Sequence, residues 1–406
     1  MGTLNETANA DRFHIGIFGC RNVGKSSLIN AITNQEVAVV SEVKGTTTDP
    51  VSKAMELLPL GPVLFIDTPG LDDDDALLGK KRIERAKKVL NRVDIALLVV
   101  SALDGIKEYD LEIEKVLIEK NIPYIVVINK SDLTNDTVEN IIKVKSAIKE
   151  QKNIIEVSAR TGKNIEKLKE LMGSFAIQNN GKSLVGDIVK KDDLVILVTP
   201  IDESAPKGRM ILPQIQVLRD ILDHDGKALF TKETELLSTL KSLAKKPDFV
   251  ITDSQAFKTV HEIVPLDVPL TSFSIILARY KGFLKTAVDG VNSIKNIKEG
   301  DTILIAEGCT HHRQCNDIGT TKIPKLLKNI TGVDFHIVTS SGNDFPEDLS
   351  PYKMIIHCGG CMVNEREMRY RMKCAVDAKV PFMNYGIFIA YANGILERSI
   401  KDIPLL

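Results

Sequence analysis

The stretch GCRNVGKSS (19–27) constrains this chain more than any other. It follows the apolar run RFHIGIF (12–18) and leads into SSLINAI (26–32). Gly19, Gly24, Lys25 and Ser26 fit the phosphate-loop pattern G-x-x-x-x-G-K-[ST]. Glycines let backbone N–H groups wrap phosphates, a lysine at the seventh position reaches the β- and γ-phosphates, and the hydroxyl after it holds Mg²⁺. The helix that starts there points its N-terminus at the same anion. Gly19, Asn22, Val23, Gly24, Lys25, Ser26 and Ser27 are therefore the phosphate-side candidates. A strand–loop–helix unit of this kind belongs to an α/β fold with a mostly parallel sheet.

Four further elements follow in order. KGTTTD (44–49) offers Thr46 and Thr47 to close over the γ-phosphate and Mg²⁺. FIDTPG (65–70) ends a strand in Asp67, placed to reach Mg²⁺ through water, and Gly70, whose N–H can sense the γ-phosphate. YIVVINKSD (124–132) ends another strand in Asn129, Lys130 and Asp132. A carboxylate at Asp132 can accept from guanine N1–H and the 2-amino group, two donors adenine lacks. IIEVSAR (154–160) supplies Ser158 and Ala159, whose backbone can bond guanine O6. Together these imply GTP with Mg²⁺, and a catalytic set of Lys25, Ser26, Thr47, Asp67 and Gly70. Leu71 stands where many GTPases carry a water-orienting glutamine, so intrinsic hydrolysis is expected to be slow. Asn22 is similar to the asparagine that holds a potassium ion in a subset of bacterial GTPases, which implies stimulation by K⁺.

Composition limits the alternatives. The 406 residues exceed one ordinary core. A net charge of −1 gives no general attraction to nucleic acid or anionic membrane. The apolar runs IALLVVSAL (95–103) and YIVVI (124–128) are far short of a membrane span. MGTLNETANADRF (1–13) does not read as a signal peptide. A cytoplasmic location is expected, where six cysteines stay reduced and close pairs read as metal ligands. The runs DDDD (72–75) and KKRIERAKK (80–88) read as a solvated helix.

Three domains are expected: a phosphate-loop domain over 10–177, a second α/β unit over 184–265 and a third over 267–406. QNNGKS (178–183) is a polar linker. The middle unit alternates strands and helices, has no phosphate loop, and reads as an association module that makes a homodimer. His224 and His261 are isolated there and read as structural. In the third unit one strand delivers Glu307, Cys309, His311, His312 and Cys315, and another delivers His357, Cys358 and Cys361. Ligands of parallel sheets sit at strand carboxyl ends, so the clusters can lie side by side. Glu307, Cys309, His311, His357, Cys358 and Cys361 are the metal candidates. Zinc would accept Cys₃His. An iron–sulfur cluster would take three cysteines and a fourth, non-cysteine ligand. The glycines of HCGGC (357–361) leave room for a bulky cluster. Cys20 and Cys374 read as packing; Cys315 lies near the motif.

The combination of a GTPase with Cys309-Thr310-His311 and His357-Cys358-Gly359-Gly360-Cys361 resembles the FeFe-hydrogenase maturation GTPase, the HydF family. GTTTDP (45–50) is similar to that family's switch segment. The resemblance implies a 4Fe–4S cluster on the three cysteines. It also implies a scaffold that receives a diiron precursor from two radical-SAM maturases and passes it to apo FeFe-hydrogenase. Two other classes share parts of the pattern: a ribosome or tRNA GTPase with a structural zinc site, and a metal sensor whose hydrolysis follows cluster occupancy.

Overall fold

A computed structural model describes residues 7–33, 51–67, 86–133, 137–148, 153–177, 182–201, 210–308, 318–342 and 344–405. The chain divides into two compact units, residues 1–181 and 182–406. In the first, strands β1 (Phe13–Phe18), β2 (Val51–Leu57), β3 (Gly61–Asp67), β4 (Ile95–Ser101), β5 (Tyr124–Asn129) and β6 (Ile154–Glu156) form one sheet in the order β2-β3-β1-β4-β5-β6. All pairs are parallel except β2 with β3. Side chains alternate across each strand, so one sheet feeds two cores. Phe18, Leu98, Val126 and Ile128 face one of them; Ile17, Leu97, Val99 and Val127 face the other. Both faces are covered, which is why β4 and β5 are buried throughout and read as unbroken apolar runs. Helix α1 (Lys25–Thr33) follows β1 and buries Leu28, Ile29 and Ile32. Helices α2 (Glu108–Glu119), α3 (Thr137–Ala147) and α4 (Ile165–Ile177) follow in the same unit.

The second unit holds two parallel sheets over one continuous hydrophobic core. The first contains β7 (Leu194–Val198), β8 (Lys227–Thr231), β9 (Phe249–Thr252) and β10 (Leu270–Ser272), in the order β10-β9-β7-β8. The second contains β11 (Thr302–Glu307), β12 (His336–Ser341), β13 (Met354–His357) and β14 (Phe382–Asn384), in the order β12-β11-β13-β14. Read from the other edge, this is the same topology. Hydrogen bonds repeat with it. Lys190 N–H donates to Asp193 Oδ2 at 2.8 Å before β7, and Lys298 N–H to Asp301 Oδ2 at 2.7 Å before β11. Val250 N–H donates to Pro269 O, and Ile355 N–H to Pro381 O, each at 2.9 Å. Asp253 N–H donates to Val198 O at 3.1 Å, and Cys358 N–H to Ala306 O at 2.8 Å. The unit is a structural duplication, in which Cys358 occupies the place of Asp253.

VPLTSFSIILARYKGFL (268–284) and VPFMNYGIFIAYANGIL (380–396) carry the repeat in sequence. Ser272 caps helix α8 (Phe273–Tyr280) by accepting from Ile275 N–H; Asn384 caps helix α12 (Tyr385–Ala392) by accepting from Ile387 N–H. Gly282 and Gly394 take left-handed φ values of 75° and 71° just beyond these helices. The helices that follow are exchanged. Helix α9 (Leu284–Val291) packs on β14, and helix α13 (Leu396–Ile400) packs on β10. Phe283 meets Phe382 edge-on at 5.8 Å, while Arg398 donates to the carbonyls of Pro265 and Val268 at 2.6 and 3.1 Å.

The α9–β14 contact is close. A Cβ added at Gly290 would lie 2.5 Å from the Phe382 carbonyl oxygen, which is backbone and cannot swing aside. Alanine normally favours a helix over glycine by about 1 kcal/mol. Gly290→Ala is instead expected to lower stability by about 1–3 kcal/mol through overpacking, read as a lower denaturant midpoint with unchanged m.

Candidate nucleotide and metal sites

Gly19 leaves β1 with φ 139°, and a Cβ there would lie 2.2 Å from Val99 O. Gly24 has φ 93°, and a Cβ would lie 2.4 Å from Asn129 Nδ2. Only glycine fits either place, so the loop is a cradle with backbone N–H groups bared. Asn22 is exposed and left-handed at φ 60°, and Val23 anchors the loop in the core. Lys25 is 8% exposed, and its Nζ donates to Gly19 O and Cys20 O, both at 2.9 Å. It thus lies across its own loop, where phosphate oxygens would replace those two carbonyls. Ser26 and Ser27 are exposed in the first turn of α1.

Asp67 ends β3. Its Oδ1 is buried with no hydrogen-bond partner among the described residues. Burial pushes its carboxyl pKa up, and the Lys25 charge opposes this. A buried carboxylate oxygen without a donor suits a cation reached through water, so these residues fit Mg²⁺. Thr46, Thr47, Gly70 and Leu71 lie outside the described residues.

Asn129 is 2% exposed and ties three segments together. Its Nδ2 donates to Val23 O at 3.0 Å, and its Oδ1 accepts from Ala159 N–H at 3.0 Å. The phosphate loop and the SAR segment are thereby locked to β5. Lys130 follows with φ 63°, and Asp132 sits one short turn on. The Ser158 hydroxyl holds the Asp132 carboxyl below its usual range, ionised for guanine. Burial first, then the Asp110 charge, push the Cys20 thiol up to about 11.

Cys358 follows β13. Its Sγ accepts from Gly308 N–H at 3.1 Å and from Gly360 N–H at 3.4 Å. Two backbone donors on one sulfur stabilise a thiolate and match the hydrogen bonds that cluster sulfurs accept. Gly360 has φ 67°, and a Cβ there would meet Met368 Sδ at 2.8 Å. Cys361 is half-buried in the same loop. This donor set fits a sulfur-ligated metal group. Among the described residues no three histidine, cysteine or carboxylate side chains surround one point. Cys309, His311, His312 and Cys315 lie outside them.

His357 departs from the expectation of a ligand. It is fully buried, its Nδ1 is 2.9 Å from Cys358 O, and its Nε2 is 3.1 Å from Arg371 Nη1. A guanidinium only donates, so Nε2 accepts and Nδ1 carries the proton. Both nitrogens are occupied within the protein. Burial first, then the Arg371 charge, pull its pKa down to about 3. Arg371 is itself fixed by Glu367 Oε1 at 2.9 Å and Gly342 O at 2.6 Å. Glu307 is 3% exposed, and its Oε1 accepts from Tyr385 Oη at 3.1 Å.

Two residues that hold these loops escape motif reading: Arg371, seen from sequence as one more helix-surface charge, and Lys281, discussed below.

The strand order, phosphate loop and Asn129–Asp132 segment define a P-loop GTPase domain, and residues 14–130 match the family model described as 50S ribosome-binding GTPase. Residues 184–282 match the hydrogen maturase F dimerization domain, and residues 285–402 match the hydrogen maturase F tetramerization domain. The chain belongs to the hydrogen maturase F family. Over the GTPase region it is 40% identical across 148 residues to the tRNA modification GTPase MnmE of Prochlorococcus marinus, covering 36% of this chain and 31% of that one. It is 38% identical across 161 residues to the GTPase Der of Wolinella succinogenes, covering 38% and 34%. It is 33% identical across 194 residues to the GTPase Era of Clostridium acetobutylicum, covering 47% and 64%. The chain thus spans 31% and 34% of the length of the first two relatives.

Removing the Asn129 amide leaves Ala159 N–H and Val23 O unpaired. Asn129→Ala is expected to weaken GDP binding by about 1–3 kcal/mol, measured by calorimetry, while the second unit keeps its unfolding transition.

Proposed function

We propose that this chain hydrolyses GTP and serves as a scaffold or carrier in FeFe-hydrogenase maturation. On this reading Cys309, Cys358 and Cys361 hold a 4Fe–4S cluster. The observation that carries it is the Cys358 thiol, placed at a parallel-strand end with two backbone N–H donors, in a chain that also bears a guanine-type loop set. The matches to two hydrogen maturase F domains support the pathway.

The roles follow from placement. Lys25 and the Gly19–Gly24 loop bind phosphates, Ser26 and Asp67 hold Mg²⁺, and Asp132 selects guanine. Thr46, Thr47 and Gly70 sense the γ-phosphate. A cluster held by Cys309, Cys358 and Cys361 would supply one ligand position not filled by cysteine, suited to an exchangeable ligand such as a diiron precursor. With His357 committed to Arg371, that position falls to another group, such as Glu307, His311 or an exogenous ligand. The precursor comes from two radical-SAM maturases and goes to the apo hydrogenase. GTP state biases these partners through the switch segments. The chain self-associates through its second unit, in the cytoplasm.

Protein purified without oxygen is expected to hold about four iron and four sulfide per chain, with a reduced-cluster EPR signal that Cys358→Ser abolishes. One zinc and no sulfide would make the loop a structural clamp. Hydrolysis is expected to run faster in K⁺ than in Na⁺, with the difference lost in Asn22→Ala; equal wild-type rates would remove potassium from the mechanism.

A further inference from the structure

Lys281 is 4% exposed, a rare state for an ammonium group. It caps α8, in the first copy of the duplication, yet its Nζ donates to the second copy. The acceptors are Gly360 O and Val363 O, both at 2.5 Å. These carbonyls bracket Cys361 in sequence, and Gly360 N–H is a donor to Cys358 Sγ. One lysine therefore fixes the turn that carries both thiols, gripping the carbonyl of the residue whose N–H bonds one of them.

The repeat provides an internal control. The counterpart of Lys281 is Asn393, aligned between the same alanine and glycine positions of the two repeated segments. Asn393 Nδ2 donates to Ile389 O, within its own helix, at 2.8 Å. The counterpart turn, from Asp253 to Ala256, is held by Asp253 Oδ1 accepting from Gln255 N–H at 3.1 Å. Among the described residues, the lysine at this counterpart corner is the exposed Lys322, whose Nζ donates to the Gln255 side chain at 2.7 Å and not to the backbone of the turn. The buried lysine stands at the corner that carries the cysteines. Contacts at the junction are reciprocal: a Cβ at Gly359 would lie 3.4 Å from Ser274 Oγ, and one at Gly386 would lie 3.0 Å from Ser254 Oγ.

We propose that Lys281 is a positioning residue for the metal site, holding the Cys358–Cys361 turn in its ligand-ready form and fixing a positive charge on the backbone of that turn. A fixed cation in a low-dielectric turn favours the anionic sulfur set and the metal it binds. Residues just outside a ligand set commonly carry about 10–100-fold in metal affinity. The inference rests on Cys358 and Cys361 being ligands, as proposed above.

The test uses the full chain, freed of metal and handled without oxygen. It is titrated with Co²⁺, whose thiolate charge-transfer absorption reports sulfur ligation. Wild type, Lys281→Met, Lys281→Gln and Cys358→Ser are compared, with thermal midpoints recorded for each. Lys281→Met is expected to fold and to bind Co²⁺ about 10–100-fold more weakly. Lys281→Gln, a donor without charge, is expected to fall between. Wild-type affinity in a folded Lys281→Met overturns the proposal. So does failure of both Lys281 variants to fold, which would make the lysine a requirement of the fold. If Cys358→Ser binds Co²⁺ as the wild type does, the ligand assignment itself falls, and the role of Lys281 with it.

Discussion

Parallel pairing is the constraint on which the rest of this molecule depends. Every named strand pair except β2 with β3 is parallel, and parallel strands bring their carboxyl ends to one edge. Backbone groups just past that edge have left the ladder and must find other partners. Gly19 leaves β1 there, Asp67 ends β3, Asn129 ends β5, Glu307 ends β11 and Cys358 follows β13. Peptide N–H groups released by the sheet line the phosphate-loop cradle in one unit and bond a thiol in the other. Two unlike chemistries thus use the same supply of unpaired donors.

Residues that make a loop possible were more legible in sequence than residues that hold it still. Gly19, Gly24, Lys25, Asp67 and Asp132 can be read from spacing because few other residues allow the backbone conformation or the charge required. The HCGGC turn is legible for the same reason. Its histidine was not: sequence shows a ligand type beside two thiols, and only packing shows that Arg371 already occupies the ring. Asn129 reads from sequence as one of the nucleotide-binding residues, and only packing shows that its amide also bonds Val23 and Ala159. Lys281 carries no motif at all, since its partners are carbonyls that any residue could supply.

The duplication was visible in the letters, in the segments beginning Val268-Pro269 and Val380-Pro381, but it was masked by divergence at the strand ends. Apolar residues of the shared core were held by burial, while the edge positions changed: Thr252 and Asp253 in one copy, His357 and Cys358 in the other. A fold can therefore be repeated while only one copy is loaded with chemistry.

The exchange of α9 and α13 gives this pair a property neither half has alone. Each half completes the other's edge with a helix, and the lysine of one braces the two-cysteine turn of the other. A boundary drawn near residue 283 divides two recognisable sequences, but it cuts through a single mechanical object. Such halves cannot be shuffled separately onto other GTPases during evolution. The heritable module is the interlocked pair, and a lineage that keeps the cysteines must keep their cysteine-free twin.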